Sequence, residues 1–143
     1  MNTYEFNMED HPADWSLDYS VRDKEIVDYQ YYELPGVPGV HFRGPQVPAA
    51  DMAKGNFFSC LGAAQTKGIY IQKPYPQLLA EELGIPSLNL ALGGCGAGFY
   101  LMNDELLNII NKGRLVVLQV MTARVEGNSR IAPFGFADSV RDR

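Results

Sequence analysis

Three short apolar runs, separated by two segments of helical period, limit this chain more than any other feature. NFFSCL (Asn56–Leu61), SLNLAL (Ser87–Leu92) and RLVVLQVM (Arg114–Met121) read as strands. Between the first two lies PYPQLLAEELG, Pro74 to Gly84. Leu78, Leu79 and Leu83 share one face there, Glu81 and Glu82 face solvent, and proline near the start and glycine past the end obey the usual helix asymmetry. Between the last two lies FYLMNDELLNIINKG, in which Asn103 or Asp104 can cap and Gly113 can stop a helix. Strand–helix–strand–helix–strand predicts a parallel sheet covered by helices. The run Leu115–Leu118 predicts burial on both faces of the third strand. In such sheets a ligand crevice lies beyond the carboxyl ends of the strands. The loops predicted there are Gly62–Gly68, Gly93–Gly98 and Thr122–Ser129.

The preceding fifty residues are different. They carry nine acids against three Lys/Arg, a net of −6, whereas residues 51–143 carry eight against nine, a net of +1; the sum is the overall −5. The expected organisation is an acidic arm, residues 1–50, on a near-neutral α/β body, residues 51–143. Ser20–Asp28 reads as a short helix or a loosely ordered stretch. DYQYYELPGVPGVHFRGP (Asp28–Pro45) reads as an extended hairpin with turns at Pro35-Gly36 and Pro38-Gly39, its tyrosines half-buried against the body. With 46% hydrophobic and 20% charged residues a globular chain is expected. There is no basic footprint for nucleic acid, no apolar run of membrane-spanning length and no secretory leader, so a cytoplasmic protein without nucleic-acid or membrane partners is expected. Cys60, Cys95, His11 and His41 show no metal-ligand spacing, and no metal or cofactor is expected. Both cysteines read as packing residues.

Each loop can be tested for chemistry. GGCGAGF has Gly94 and Gly96 but Phe99 where a dinucleotide fingerprint needs its third glycine. After Gly62 the order Ala-Ala-Gln-Thr-Lys67-Gly68 lacks the Gly-Lys-Ser/Thr of a phosphate loop. What remains is polar: Gln65, Thr66, Asn89, Thr122 and Arg124 converge on the predicted crevice. Donors, acceptors and one fixed cation suit a carbohydrate or a small anion. Asn89 equally reads as a tie from a strand end to a neighbouring loop, and Arg124 as a surface partner of Glu126.

The order of these blocks resembles the SGNH, or GDSL, hydrolases. Gly62-Ala63-Ala64-Gln65-Thr66 stands where that superfamily has Gly-Asp-Ser-x-Thr, and Asn89 to Gly94 resembles its second block, whose glycine lends an N–H to the oxyanion hole. The resemblance implies a three-layer α/β sandwich, flavodoxin-like, and makes Gly94 a candidate binding residue. The departures imply loss of the hydrolytic chemistry. Ala64 stands at the nucleophile, Met121-Thr122-Ala123-Arg124 replaces Gly-x-Asn-Asp, and Asp138-Ser139-Val140-Arg141 has arginine at the histidine place. Cys60 precedes the loop tip by two residues and has no base beside it. A closer similarity is to an uncharacterised bacterial family of unknown function, domain of unknown function 6473. Its patterns match His41-Phe42-Arg43-Gly44-Pro45, Ala63 to Thr66, Asn89 to Gly98 and Val117 to Arg124. Members of that family are longer, which implies a truncated chain with no C-terminal part.

Three readings stay open: a non-catalytic binding domain, the N-terminal half of a hydrolase or transferase, and a fragment without function. The chain after Met121 offers no strand-length apolar run. The sheet is therefore expected to keep an uncovered edge that invites self-association.

Overall fold

The computed structural model describes residues 26–121, 131–133 and 140–142 of the chain. Most of the expected Ser20–Asp28 helix lies outside them. A hairpin comes first, β1 (Tyr31–Leu34) and β2 (Val37–Arg43), paired antiparallel. Pro35 and Gly36 make its turn, Gly36 at φ +83°, a conformation only glycine adopts without strain. The second expected turn is not one. Pro38 and Gly39 lie inside β2, where five steps from Phe42 to Val37 oppose two from Tyr32 to Leu34. The surplus is absorbed as a bulge, with Gly39 at φ +74°.

The body has the expected alternation: α1 (Ala49–Lys54), β3 (Phe58–Leu61), α2 (Ala64–Lys67), α3 (Tyr75–Leu83), β4 (Ser87–Asn89), α4 (Ala97–Leu101), α5 (Asp104–Lys112) and β5 (Val116–Leu118). The three strands are parallel in the order β4-β3-β5. Their ladders outrun the formal strands, since Leu90 and Leu92 donate to Cys60 and Gly62, and Gln119 donates to Leu61. The sheet is thus parallel throughout, within an α/β fold. Pro74 precedes α3 and Gly84 closes it at φ +64°. Asn103 caps α5 by accepting the Leu106 N–H at 2.9 Å. A further antiparallel pair, β6 (Ile131–Pro133) and β7 (Val140–Asp142), was not legible, because three-residue strands are too short for a pattern to show.

One core joins hairpin and body. Tyr32, Leu34, Val40 and Phe42 of the hairpin share it with Phe57, Leu88, Leu90, Phe99, Tyr100, Leu106 and Ile110. Two expectations of burial need correction. Leu78 and Leu83 of α3 are exposed. The sheet is three strands wide among the described residues and α3 packs on its edge strand, β4, so much of the apolar stripe has no sheet beneath it. Leu115, Val116 and Leu118 are exposed as well. β5 is the opposite edge and pairs only with β3 among the described residues. Among the described residues no helix is long and apolar enough to cross a membrane.

Candidate functional site

The strand order fixes where a crevice can form. The chain leaves the central strand β3 toward β4 on one side, then returns to β5 on the other. At such a reversal the loops after the two strands diverge, and the gap lies between the carboxyl ends of β3 and β5. Gly62 follows β3. A Cβ there would overlap Thr66 Oγ1 and the Gln119 side chain, so glycine lets α2 and the end of β5 close together.

The polar groups at this gap form one chain of hydrogen bonds. Gln119 Oε1 accepts from the Ala63 N–H at 3.0 Å and from Thr66 Oγ1 at 2.7 Å. Only an oxygen can accept from that N–H, which fixes the orientation of the carboxamide. Its Nε2 donates to Gln65 Oε1 at 3.0 Å. The Tyr75 hydroxyl lies 3.0 Å from Thr66 Oγ1. The single Thr66 proton is already directed to Gln119, so Tyr75 donates here. Burial raises the Tyr75 pKa, and the phenol stays protonated at neutral pH. Locally this follows from sequence. Ala63 has no side chain to cap α2, and the first residue after the apolar run of β5 with a reachable acceptor is Gln119.

Behind this chain sits a buried layer. Asn89 Nδ2 donates to Thr66 O at 3.0 Å, and Asn89 Oδ1 accepts the Ala91 N–H at 3.1 Å. The Tyr32 hydroxyl donates to Asn89 O at 2.8 Å and ties the hairpin to the end of β4. The Tyr100 hydroxyl accepts the Gly62 N–H at 3.0 Å and reaches the Gly62 and Leu90 carbonyls at 3.0 and 3.1 Å. It spans the ends of β3 and β4. Burial, reinforced by Cys95, holds its pKa well above the ordinary tyrosine value. Cys95 Sγ donates to Gly62 O at 3.3 Å. Burial pushes the Cys60 thiol up to about 12. At neutral pH it is a packed thiol rather than a thiolate nucleophile.

The candidate residues fall into three sets. Gln65, Thr66 and Asn89 are brought together, Gln65 exposed and the other two buried. Gly94 lies in the turn between β4 and α4 at φ +74°, half-buried. Thr122 and Arg124 lie outside the described residues. Sequence reasoning missed Gln119 and Tyr75. The signal for Gln119 was available: it is the one polar residue interrupting Leu115–Met121, at the carboxyl end of the strand. Ala64 is the first residue of α2 and contributes only a methyl group there. No group of three or more His, Cys, Asp or Glu could hold a metal ion among the described residues.

No curated protein and no solved structure matches the chain significantly. A family model described as a domain of unknown function, DUF6473, matches residues 17–130. That span takes in the hairpin, all three parallel strands and every residue of the hydrogen-bonded chain, and the protein belongs to this family.

Proposed function

We propose that this is a non-hydrolytic binding domain of SGNH-like, three-layer architecture, whose crevice between β3 and β5 takes a small oxygen-bearing ligand, a carbohydrate or a carboxylate-type anion. One observation carries the reading. The Ala63 N–H and the Thr66 hydroxyl converge on a single point, and the atom at that point is the Gln119 carboxamide oxygen. Two donors aimed at one oxygen, with a tyrosine hydroxyl feeding the second, form an acceptor-binding seat. In the free protein Gln119 fills the seat itself, and its exposed neighbour Gln65 holds the other end of the amide. A ligand oxygen would displace Gln119 Oε1 and leave the amide free to bond the ligand's other groups.

The SGNH-like part of the reading is supported by the order of blocks and by a central first strand flanked by the second and third. The non-hydrolytic part rests on Ala64 and on the inert Cys60. The test is calorimetric titration of short carboxylates and monosaccharides into the unmodified chain, Gln119→Ala and Thr66→Val. Binding is expected to tighten in Gln119→Ala, which loses the internal competitor, and to weaken about tenfold in Thr66→Val, which loses one donor. Absence of binding to both the unmodified chain and Gln119→Ala overturns the reading. So does turnover of a short acyl ester that a serine-reactive phosphonate abolishes. Ala64→Ser alone is expected to give no turnover, because no base stands in the hydrogen-bonded chain.

A further inference from the structure

The most unusual group outside the crevice chain is Arg43, at the end of β2 and 2% exposed. Its guanidinium donates to four backbone carbonyls. Nη1 reaches Lys67 O at 3.1 Å and Gly68 O, and Nη2 reaches Ile71 O and Gln72 O at 3.0 Å. The Tyr29 ring covers its face, with Cζ 4.7 Å from the centroid. None of the ion pairs found among the described residues involves Arg43. A buried cation normally requires a carboxylate. Here carbonyl dipoles and an aromatic face take that part.

The four carbonyls come from two places. Those of Lys67 and Gly68 close α2, where unpaired carbonyls collect and a cation is favoured. Those of Ile71 and Gln72 come after the chain reverses at Tyr70, a non-glycine residue at φ +62° whose N–H donates to the Tyr29 hydroxyl at 2.9 Å. A left-handed tyrosine is strained and persists only where its surroundings hold it. A Cβ at Gly68 would collide with Pro74 and meet Arg43 Nη1, so the segment closes on the guanidinium without room to spare. α2 carries Gln65 and Thr66, and Tyr75 opens α3 three residues past Gln72. Every crevice residue except Ala63 and Gln119 therefore sits on a segment whose end Arg43 holds.

We infer that Arg43 is a positioning residue for the crevice, so that docking of the hairpin, through Arg43 and Tyr29, sets the relative placement of Thr66 and Tyr75. The hairpin then acts as an internal effector of the site rather than as cover. The inference depends on the binding reading only for the consequence in ligand affinity; the placement itself is testable without a ligand.

The experiment uses the full chain with Arg43→Lys, which keeps the charge and loses the planar fork, and Tyr29→Leu, which removes the ring and the acceptor for Tyr70 N–H. Amide exchange and the NMR signals of Ala63 N–H and the Gln119 side-chain amide are read in both. In Arg43→Lys, protection of Lys67, Gly68, Ile69 and Ile71, whose N–H groups donate within this segment, is expected to fall about tenfold or more. Leu90 and Gln119, which donate within the sheet, should keep theirs. The Ala63 and Gln119 side-chain signals should shift, and Tyr29→Leu should give the same pattern more weakly. Unchanged Ala63 and Gln119 side-chain signals overturn the inference, and so does an equal loss of protection across segment and sheet. If Arg43→Lys does not fold, Tyr29→Leu decides alone by the same two outcomes. Loss of placement in a crevice that binds neither acetate nor glucose would keep this inference and sink the binding reading.

Discussion

The hairpin and the β5 edge are written in similar residues and end in opposite surroundings. Val40 and Phe42 of the hairpin are 4% and 0% exposed, whereas Val116, Leu118 and Val120 are 46%, 60% and 94% exposed. The hairpin strand carries Pro38, Gly39 and a charged Arg43, and reads as the poorer candidate for a core. The β5 run reads as the better one. What separates them is a partner. The hairpin has Tyr32 bonded to Asn89 O, Arg43 bonded to four carbonyls, and an apolar face shared with the sheet. β5 has β3 on one side only among the described residues. Apolar composition states what a strand can bury, and the neighbouring polar ties decide whether it does.

The largest test of that contrast is a pair of truncations. Phe42→Ala should cost about 3–5 kcal/mol in denaturant unfolding, the price of a cavity under Tyr32, whose ring lies 5.9 Å away. Val120→Ala should stay within about 0.5 kcal/mol. A Phe42→Ala cost below about 1 kcal/mol would make the hairpin an appendage and erase the difference between the regions.

The next effect is on association. An exposed apolar edge with unpaired backbone on one side invites a second chain. We expect sedimentation at micromolar concentration to show species heavier than the 15.9 kDa monomer, and Leu118→Lys with Val120→Lys to shift them toward monomer. A clean monomer with a cooperative melt for the unmodified chain would show that the edge needs no cover.

The smallest effect is on the pH dependence of stability, and it sharpens the contrast from the buried side. The Cys60 thiol rises from 9.0 in the open chain to about 12 when folded, through burial. Above pH 9 the unfolded chain releases this proton and the native one retains it. The unfolded state then binds fewer protons, and stability falls as pH rises. The stabilising share is complete below pH 9 and declines through the window to about 12 at up to about 1.4 kcal/mol per pH unit. Tyr32 and Tyr100, both raised by burial, steepen the same decline above pH 10. Cys60→Ala should flatten the slope of melting temperature between pH 9 and 10. An unchanged slope would mean that the thiol is not buried as described.

Much of the fold was legible because its signals are local. Pro74 and Gly84 bracket α3, Asn103 caps α5, and three apolar runs supply three parallel strands. Exposure was not legible for Leu78 and Leu83, since it depends on how wide the sheet becomes, which no window of residues records, whereas the lack of an apolar run after Met121 did point to an uncovered edge at or beside β5. In the site, Thr66 was legible as a polar residue in the loop after a strand and Asn89 as one at a strand end. Gln119 was marked in the sequence as the polar break in an apolar run, but its role was not legible, because its partners Ala63 and Thr66 lie 56 and 53 positions away. Arg43 was read only as part of a pattern, for its four acceptors are backbone carbonyls and leave no mark in side-chain composition.

The central claim is that the Ala63 N–H and Thr66 hydroxyl form a seat for an oxygen that Gln119 now fills. The most direct measurement follows the Ala63 amide and the Gln119 side-chain amide by NMR while acetate, and separately glucose, is added to the unmodified chain. The account predicts that with at least one of them both signals move together and saturably, while the amides of Leu88 and Ile110, buried residues outside the hydrogen-bonded chain, stay still. Signals of Ala63 and Gln119 that do not respond to either compound, in the unmodified chain and in Thr66→Val alike, would contradict it.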